Sequence, residues 1–143
     1  MFRVLLLCRN NSVLSPIAEG YFRKYAPDVT EIYSACIEKE KINPIVIELM
    51  KEEGIDISKI KQHQLSEFKH VDFDFILTYD EESEAESHHL PSKPVKYHFD
   101  FHKLIPKDLS KSKEKEVYRQ VRDRIKRTMR SFIRDHFTDI KKT

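Results

Sequence analysis

From Phe2 to Leu7 the chain is apolar at every position but Arg3, a short continuous run that predicts a strand buried on both faces. A polar stretch, Arg9–Ser15, follows it. Ser15 then precedes Pro16, which predicts a helix with Ser15 as N-cap and Pro16 at the first helical position. Ile17, Tyr21 and Tyr25, with Phe22 beside them, recur at helical spacing. A second short strand is predicted over Glu31–Cys36. Asn43-Pro44 opens another helix, with Ile45 and Leu49, and Val46 and Met50, as stacked pairs. Gly54 ends it where a left-handed residue is expected. Val71–Tyr79 predicts a third strand with Phe73, Phe75 and Leu77 on one side, and Val95–Phe99 a fourth. From about Lys113 to Phe137, Val117, Val121, Ile125, Met129 and Ile133 stand four apart, the stripe of an amphipathic helix.

Strands alternating with helices imply a four-stranded parallel sheet flanked by helices, an α/β three-layer sandwich. Ligands of such sheets bind beyond the carboxyl ends of the strands, which is where the polar stretch after Leu7 falls. With no repeat and no linker, residues 1–143 read as a single domain.

Composition narrows the class. Hydrophobic residues make up 39% and charged residues 35%, as suits a globular chain rather than a disordered one. No apolar run reaches membrane-spanning length, and the opening MFRVLLLC is too short to read as a signal peptide. The expectation is a cytoplasmic protein with no membrane partner. The net charge of +2 hides an asymmetry: residues 103–143 hold 14 Lys/Arg against 6 Asp/Glu, and residues 1–102 hold 12 against 18. Without aromatic interleaving or a recognition motif, the basic third reads as a solvated helix face rather than a nucleic-acid surface.

The chemistry concentrates in Cys8-Arg9-Asn10-Asn11-Ser12-Val13-Leu14-Ser15. A loop between a strand end and a helix start turns successive backbone N–H groups inward and makes a nest for an anion. The helix dipole adds positive potential. A cysteine at its mouth is expected to have a thiol pKa below the free value of about 8.5. Asn10 and Asn11 suit left-handed backbone positions, and Ser12 and Ser15 offer hydroxyl donors. On spacing alone, Cys8 reads equally as an ordinary buried cysteine ending a strand.

The segment VLLLCRNNSVLSPIAEGYF, residues 4–22, resembles the opening of low-molecular-weight protein tyrosine phosphatases and thioredoxin-coupled arsenate reductases. Those families share Cys-x5-Arg-Ser, often with Asn-Ser inside the loop and Ala-Glu-Gly after it. Tyr33-Ser34-Ala35, Asn43-Pro44, Glu53-Gly54-Ile55-Asp56, Asp74-Phe75-Ile76-Leu77-Thr78 and Val121-Arg122-Asp123-Arg124-Ile125-Lys126 continue the resemblance in order along the chain. It implies Cys8 as the nucleophile and residues 9–15 as the oxyanion-binding loop.

Three departures bear on activity. Leu14 stands where the family has its loop arginine, which grips two oxygens of the oxyanion as no apolar side chain can. By analogy with lost oxyanion donors the cost is about 10²–10³-fold in turnover. The family's Asp-Pro general acid falls at Lys103-Leu104, with Asp100 three positions early as a displaced candidate. The two further cysteines of the arsenate-reducing branch have no counterpart between Thr78 and Pro91. Cys36 stands where the family usually has glycine, and it reads either as a gap filler or as a disulfide partner of Cys8 and hence a thiol-redox contact. Arg9 and Lys103 are the cations available to a bound phosphate. His88, His89, His98 and His102 match no strict zinc spacing, and no metal or cofactor is implied.

The expectation is therefore a phosphatase-like pseudoenzyme, impaired in catalysis, that binds a phosphate-like anion or a phosphorylated ligand. An active Cys-dependent phosphatase or arsenate reductase with Arg9 or Lys103 as substitute cation is the second reading. A redox-sensing or interaction module using Cys8 and Cys36 is the third.

Overall fold

A computed structural model of the chain describes residues 1–10, 12–90 and 93–141, the last four by backbone alone. In chain order it forms β1 (Phe2–Cys8), α1 (Leu14–Tyr25), β2 (Thr30–Cys36), α2 (Pro44–Lys51), β3 (Phe75–Thr78), α3 (Glu81–Ser87), β4 (Val95–His98) and α4 (Lys111–Lys141), with 3₁₀ turns at Leu65–Phe68 and Phe101–Leu104. The strands pair in parallel in the order β2-β1-β3-β4.

The apolar run at the start becomes a central strand. Val4, Leu5, Leu6 and Leu7 are fully buried, each burial being worth about 1.5–3 kcal/mol. Alternation sorts them between two cores. Val4 and Leu6 share one with Ile17, Tyr21 and Phe22 of α1, Leu49 and Met50 of α2, and Ile125 and Met129 of α4. Leu5 and Leu7 share the other with Phe73 and Ile76, under Leu65 and Phe68.

Several boundaries differ from those the pattern predicts. Helix α1 begins two residues early, with Val13 as its N-cap and no side-chain capping bond. Ser15 is therefore inside the first turn, not the cap. The third strand shrinks from Val71–Tyr79 to Phe75–Thr78. Asp74 ends the ladder's regular part, its carboxylate accepting from the Arg3 amide at 2.8 Å. Phe73 consequently lies in the opposite core from Leu77. Helix α3 has no apolar stripe to announce it. It is set by Asp80, which accepts from the Ser83 amide at 2.9 Å, and by acidic residues in its first turn.

The second helix starts as predicted, Asn43 accepting from the Ile45 amide at 2.9 Å. It ends in a Schellman arrangement: Ile55 N donates to Met50 O at 3.0 Å and Gly54 N to Lys51 O at 2.9 Å, with Gly54 at φ +73°. Part of the basic third is not free surface. Lys115 pairs with Glu48, Arg119 and Arg122 with Glu52, and Lys126 with Glu53, so α4 neutralises the acidic end of α2. The buried Arg122 also donates to Leu49 O at 2.9 Å.

Packing between α1 and the exit of α2 leaves no room at Gly20. A Cβ there would meet Met50 Cε at 2.9 Å, Ile55 Cγ2 at 3.1 Å and Ile57 Cγ2 at 3.2 Å. Gly20→Val is expected to lower stability by about 2 kcal/mol despite its better helix propensity, measured by urea unfolding.

Candidate functional site

The register that aligns Leu6 with Leu77 and Leu7 with Thr78 brings the carboxyl ends of β1 and β3 side by side. Cys8, the last residue of β1, then faces Asp80, two residues beyond β3. Its Sγ donates to Asp80 Oδ2 at 3.2 Å. The same oxygen accepts from the Arg9 amide at 2.8 Å, and Oδ1 takes the Ser83 amide that starts α3.

The loop after Cys8 is pinned at several points. Arg9 O accepts from Ile37 N at 3.0 Å and Glu38 N at 2.9 Å, which fastens it to the end of β2. Asn10 Oδ1 accepts from the Ser12 amide at 3.2 Å, a local turn closed by a side chain. Ser12 O accepts from Asn43 N at 2.9 Å, so the residue capping α2 also holds the loop. The left-handed position expected at Asn10 is not adopted, because no described residue but Gly54 has positive φ. Asn11 lies outside the described residues.

Above the loop opens a cleft of about 860 Å³ lined by Cys8, Arg9, Asn10, Ser12, Val13 and Leu14. Charged and titratable side chains complete its lining: Glu40, Asp80, Glu81 and Glu82, with His102, Lys103 and Lys107. Leu14 turns inward and is only 6% exposed, part of the core beneath α1. Ser15 is fully buried with its hydroxyl 3.4 Å from that of Ser34, and it does not line the cleft. The Arg9 guanidinium reaches Glu82 at 3.6 Å, both groups half-exposed, a pairing worth little and easily exchanged.

Protonation runs against the low thiol pKa expected from loop geometry. Burial and then the Asp80 carboxylate push the Cys8 thiol well above its ordinary range, and the amides of Asn10 and Arg9 only partly oppose them. Asp80 is itself pushed up by burial, but the amides of Arg9 and Ser83, the Ser83 hydroxyl and the Cys8 thiol outweigh this and hold it low. Both shifts say the same thing: the proton stays on sulfur and the charge on the carboxylate.

The auxiliary candidates separate. Lys103 lines the cleft, its Nζ 3.5 Å from Asp100. Asp100 does not line it. Its carboxylate accepts from His98 Nε2 at 2.8 Å, and that bond, with Lys103 nearby, lowers its pKa, the wrong direction for a proton donor. Cys36 is buried, in register with Cys8 across the β1–β2 ladder, and its thiol donates to His63 O at 3.3 Å. Both cysteines are free thiols. Asp80 and Glu40 escape a reading that follows the chain, since each joins the cleft from a distant segment, and His102, weighed there only as a metal ligand, lines the cleft as well. The signal for Asp80 was its place just past a parallel strand's carboxyl end. Among the described residues no cluster of His, Cys, Asp or Glu is placed to hold a metal ion, and no helix is long and apolar enough to cross a membrane.

Known proteins share this fold. Residues 3–143 match the family model described as low molecular weight phosphotyrosine protein phosphatase. An arsenate reductase of Halalkalibacterium halodurans is 30% identical over 129 residues, covering 90% of this chain and 93% of its own. Arsenate reductase 1 of Staphylococcus epidermidis is 32% identical over the same shares. A low molecular weight protein tyrosine phosphatase from T. tengcongensis superposes with a TM-score of 0.74 at 22% identity, over 94% of this chain and 99% of that one. An arginine phosphatase from Geobacillus stearothermophilus gives 0.75 at 18% identity, over 97% and 95%. Matched along almost its whole length, the chain belongs to the low molecular weight phosphotyrosine protein phosphatase family.

Proposed function

We propose that the chain binds phosphate-like anions over Cys8 and hydrolyses phosphate esters through that thiol far more slowly than an intact family member. The observation that carries this reading is Leu14, whose side chain is buried in the core at the position where the resemblance places the oxyanion-gripping arginine. The cleft's charges support the slow rate and imply weak binding. Four carboxylates, Glu40, Asp80, Glu81 and Glu82, line it beside the three cations Arg9, Lys103 and Lys107, a poor field for a dianion. Arsenate reduction is the less favoured chemistry, since the chain's only cysteines are Cys8 and Cys36. Free thiols suit a reducing compartment such as the cytoplasm.

The test is hydrolysis of p-nitrophenyl phosphate by the parent, Cys8→Ser and Leu14→Arg. The expected result is a slow rate that Cys8→Ser abolishes and Leu14→Arg raises by about 10²-fold. A parent rate equal to that of an intact family phosphatase, or one indifferent to Cys8→Ser, overturns the proposal.

Thiol ionisation gives a second check. With Cys36→Ser as background, thiolate absorbance near 240 nm should appear only on the alkaline side of an ordinary cysteine titration. Asp80→Asn removes a charge and an acceptor that both favour the protonated thiol, so the titration moves to lower pH. A raised folded-state pKa contributes stability that is present below the unfolded value and is lost as pH climbs through the folded one. Asp80→Asn should therefore weaken the alkaline loss of stability.

One observation favours a redox reading beside this one: Cys8 and Cys36 are paired positions on adjacent strands, a spacing within reach of a disulfide. Hydrogen peroxide would then convert the two thiols to a disulfide and water. Mass spectrometry under non-reducing conditions should find a peptide joining the two; sulfenic or sulfinic acid on Cys8 with Cys36 untouched removes this reading.

A further inference from the structure

With Lys103 at the family's acid position and Asp100 outside the cleft, leaving-group protonation lacks its usual donor. The geometry points to His102 as the replacement: we propose that its Nε2 protonates the leaving oxygen when Cys8 attacks a phosphate ester. This rests on the reading of Cys8 as a slow nucleophile.

The ring is placed for that role by bonds that use only its other nitrogen. His102 Nδ1 lies 3.0 Å from Tyr79 O, and the His102 amide donates to the same oxygen at 3.4 Å. A carbonyl oxygen has only lone pairs to offer, so Nδ1 carries hydrogen whatever the charge of the ring. Nε2 is then the atom that gains and loses the second proton. No hydrogen bond or ion pair among the described residues engages Nε2.

Position follows from the same anchor. Tyr79 immediately precedes Asp80, whose carboxylate touches Cys8 Sγ, and His102 lines the cleft that Cys8 opens into. The 3₁₀ turn carrying it is fastened by buried Phe101, which stacks on Tyr79 at 5.4 Å and on Phe99 at 5.4 Å. A side chain fixed at one nitrogen on a turn packed this way is held ready for use at the other.

The bond from Cys8 Sγ to phosphorus forms as the bond from phosphorus to the leaving oxygen breaks. The thiol proton passes to Asp80 Oδ2, and the proton on His102 Nε2 passes to the leaving oxygen. Water then attacks phosphorus as the bond to Cys8 Sγ breaks, and neutral Nε2 takes one of the water's protons. Inorganic phosphate departs, and Cys8 recovers its proton from Asp80.

The test is leaving-group dependence. Phenyl, p-nitrophenyl and 2,4-dinitrophenyl phosphate are compared as substrates for the parent, His102→Asn and Cys8→Ser, with melting temperatures alongside. Asparagine can keep the donor to Tyr79 O while removing the exchangeable proton. Loss of a general acid is expected to cut phenyl phosphate turnover by about 10²-fold and to leave the dinitrophenyl ester within about threefold, because that leaving group departs unaided. A uniform loss across the three esters, or none, overturns the role of His102 and leaves Cys8 as nucleophile standing. Rates unchanged by Cys8→Ser overturn the underlying reading and this one with it.

Discussion

A strand with neighbours on both edges and buried side chains on both faces has no place for chemistry along its length. β1 is that strand here, and its run of Val4, Leu5, Leu6 and Leu7 is wholly inside. The first position where a reactive group can meet both solvent and backbone donors is its carboxyl end. Cys8 occupies it. Everything else at the site is brought to that end by register: Asp80 by the pairing of β3, Arg9 and Cys36 by that of β2, and His102 through the carbonyl of Tyr79. The site is thus a property of the sheet's parallel order more than of any one loop.

That order was legible from the chain because continuous apolar runs, proline-started helices and Gly54 each have local causes. The site was legible only in part. Cys8 and its loop are contiguous, so their spacing carries information, and the absent arginine could be read at Leu14. Asp80 sits 72 residues from Cys8 along the chain, and nothing local announces the contact. Its effect reversed an expectation: amides lower a thiol pKa, but a carboxylate in hydrogen-bond contact and a buried setting outweigh them. Phe73 changed faces because Asp74 put its side chain into the backbone bonding at the edge of β3, an event that hydropathy alternation does not register. Helix α3 was invisible to a search for apolar stripes because its start is fixed by a capping box.

The basic final third shows how composition misleads when read without partners. Lys115, Arg119, Arg122 and Lys126 face Glu48, Glu52 and Glu53 across the α2–α4 contact. The Arg119 and Arg122 bonds hold Glu52 down to about 2, as expected for a carboxylate gripped by two guanidinium groups. Charge asymmetry along the sequence is therefore partly cancelled in space. Of the rest, Lys103 and Lys107 line the cleft, and Arg124, Arg127 and Arg130 are exposed along α4.

The Asp80 carboxylate already holds the Arg9 amide, one of the donors that an incoming oxyanion would seek. Any anion settling over Cys8 must come to terms with that resident negative charge. An anion that claims the Arg9 amide strips Asp80 of a donor that keeps its carboxylate acidic, so the ligand would leave Asp80 a stronger base toward the Cys8 thiol. Occupancy of the cleft and arming of its nucleophile would then be joined through one side chain.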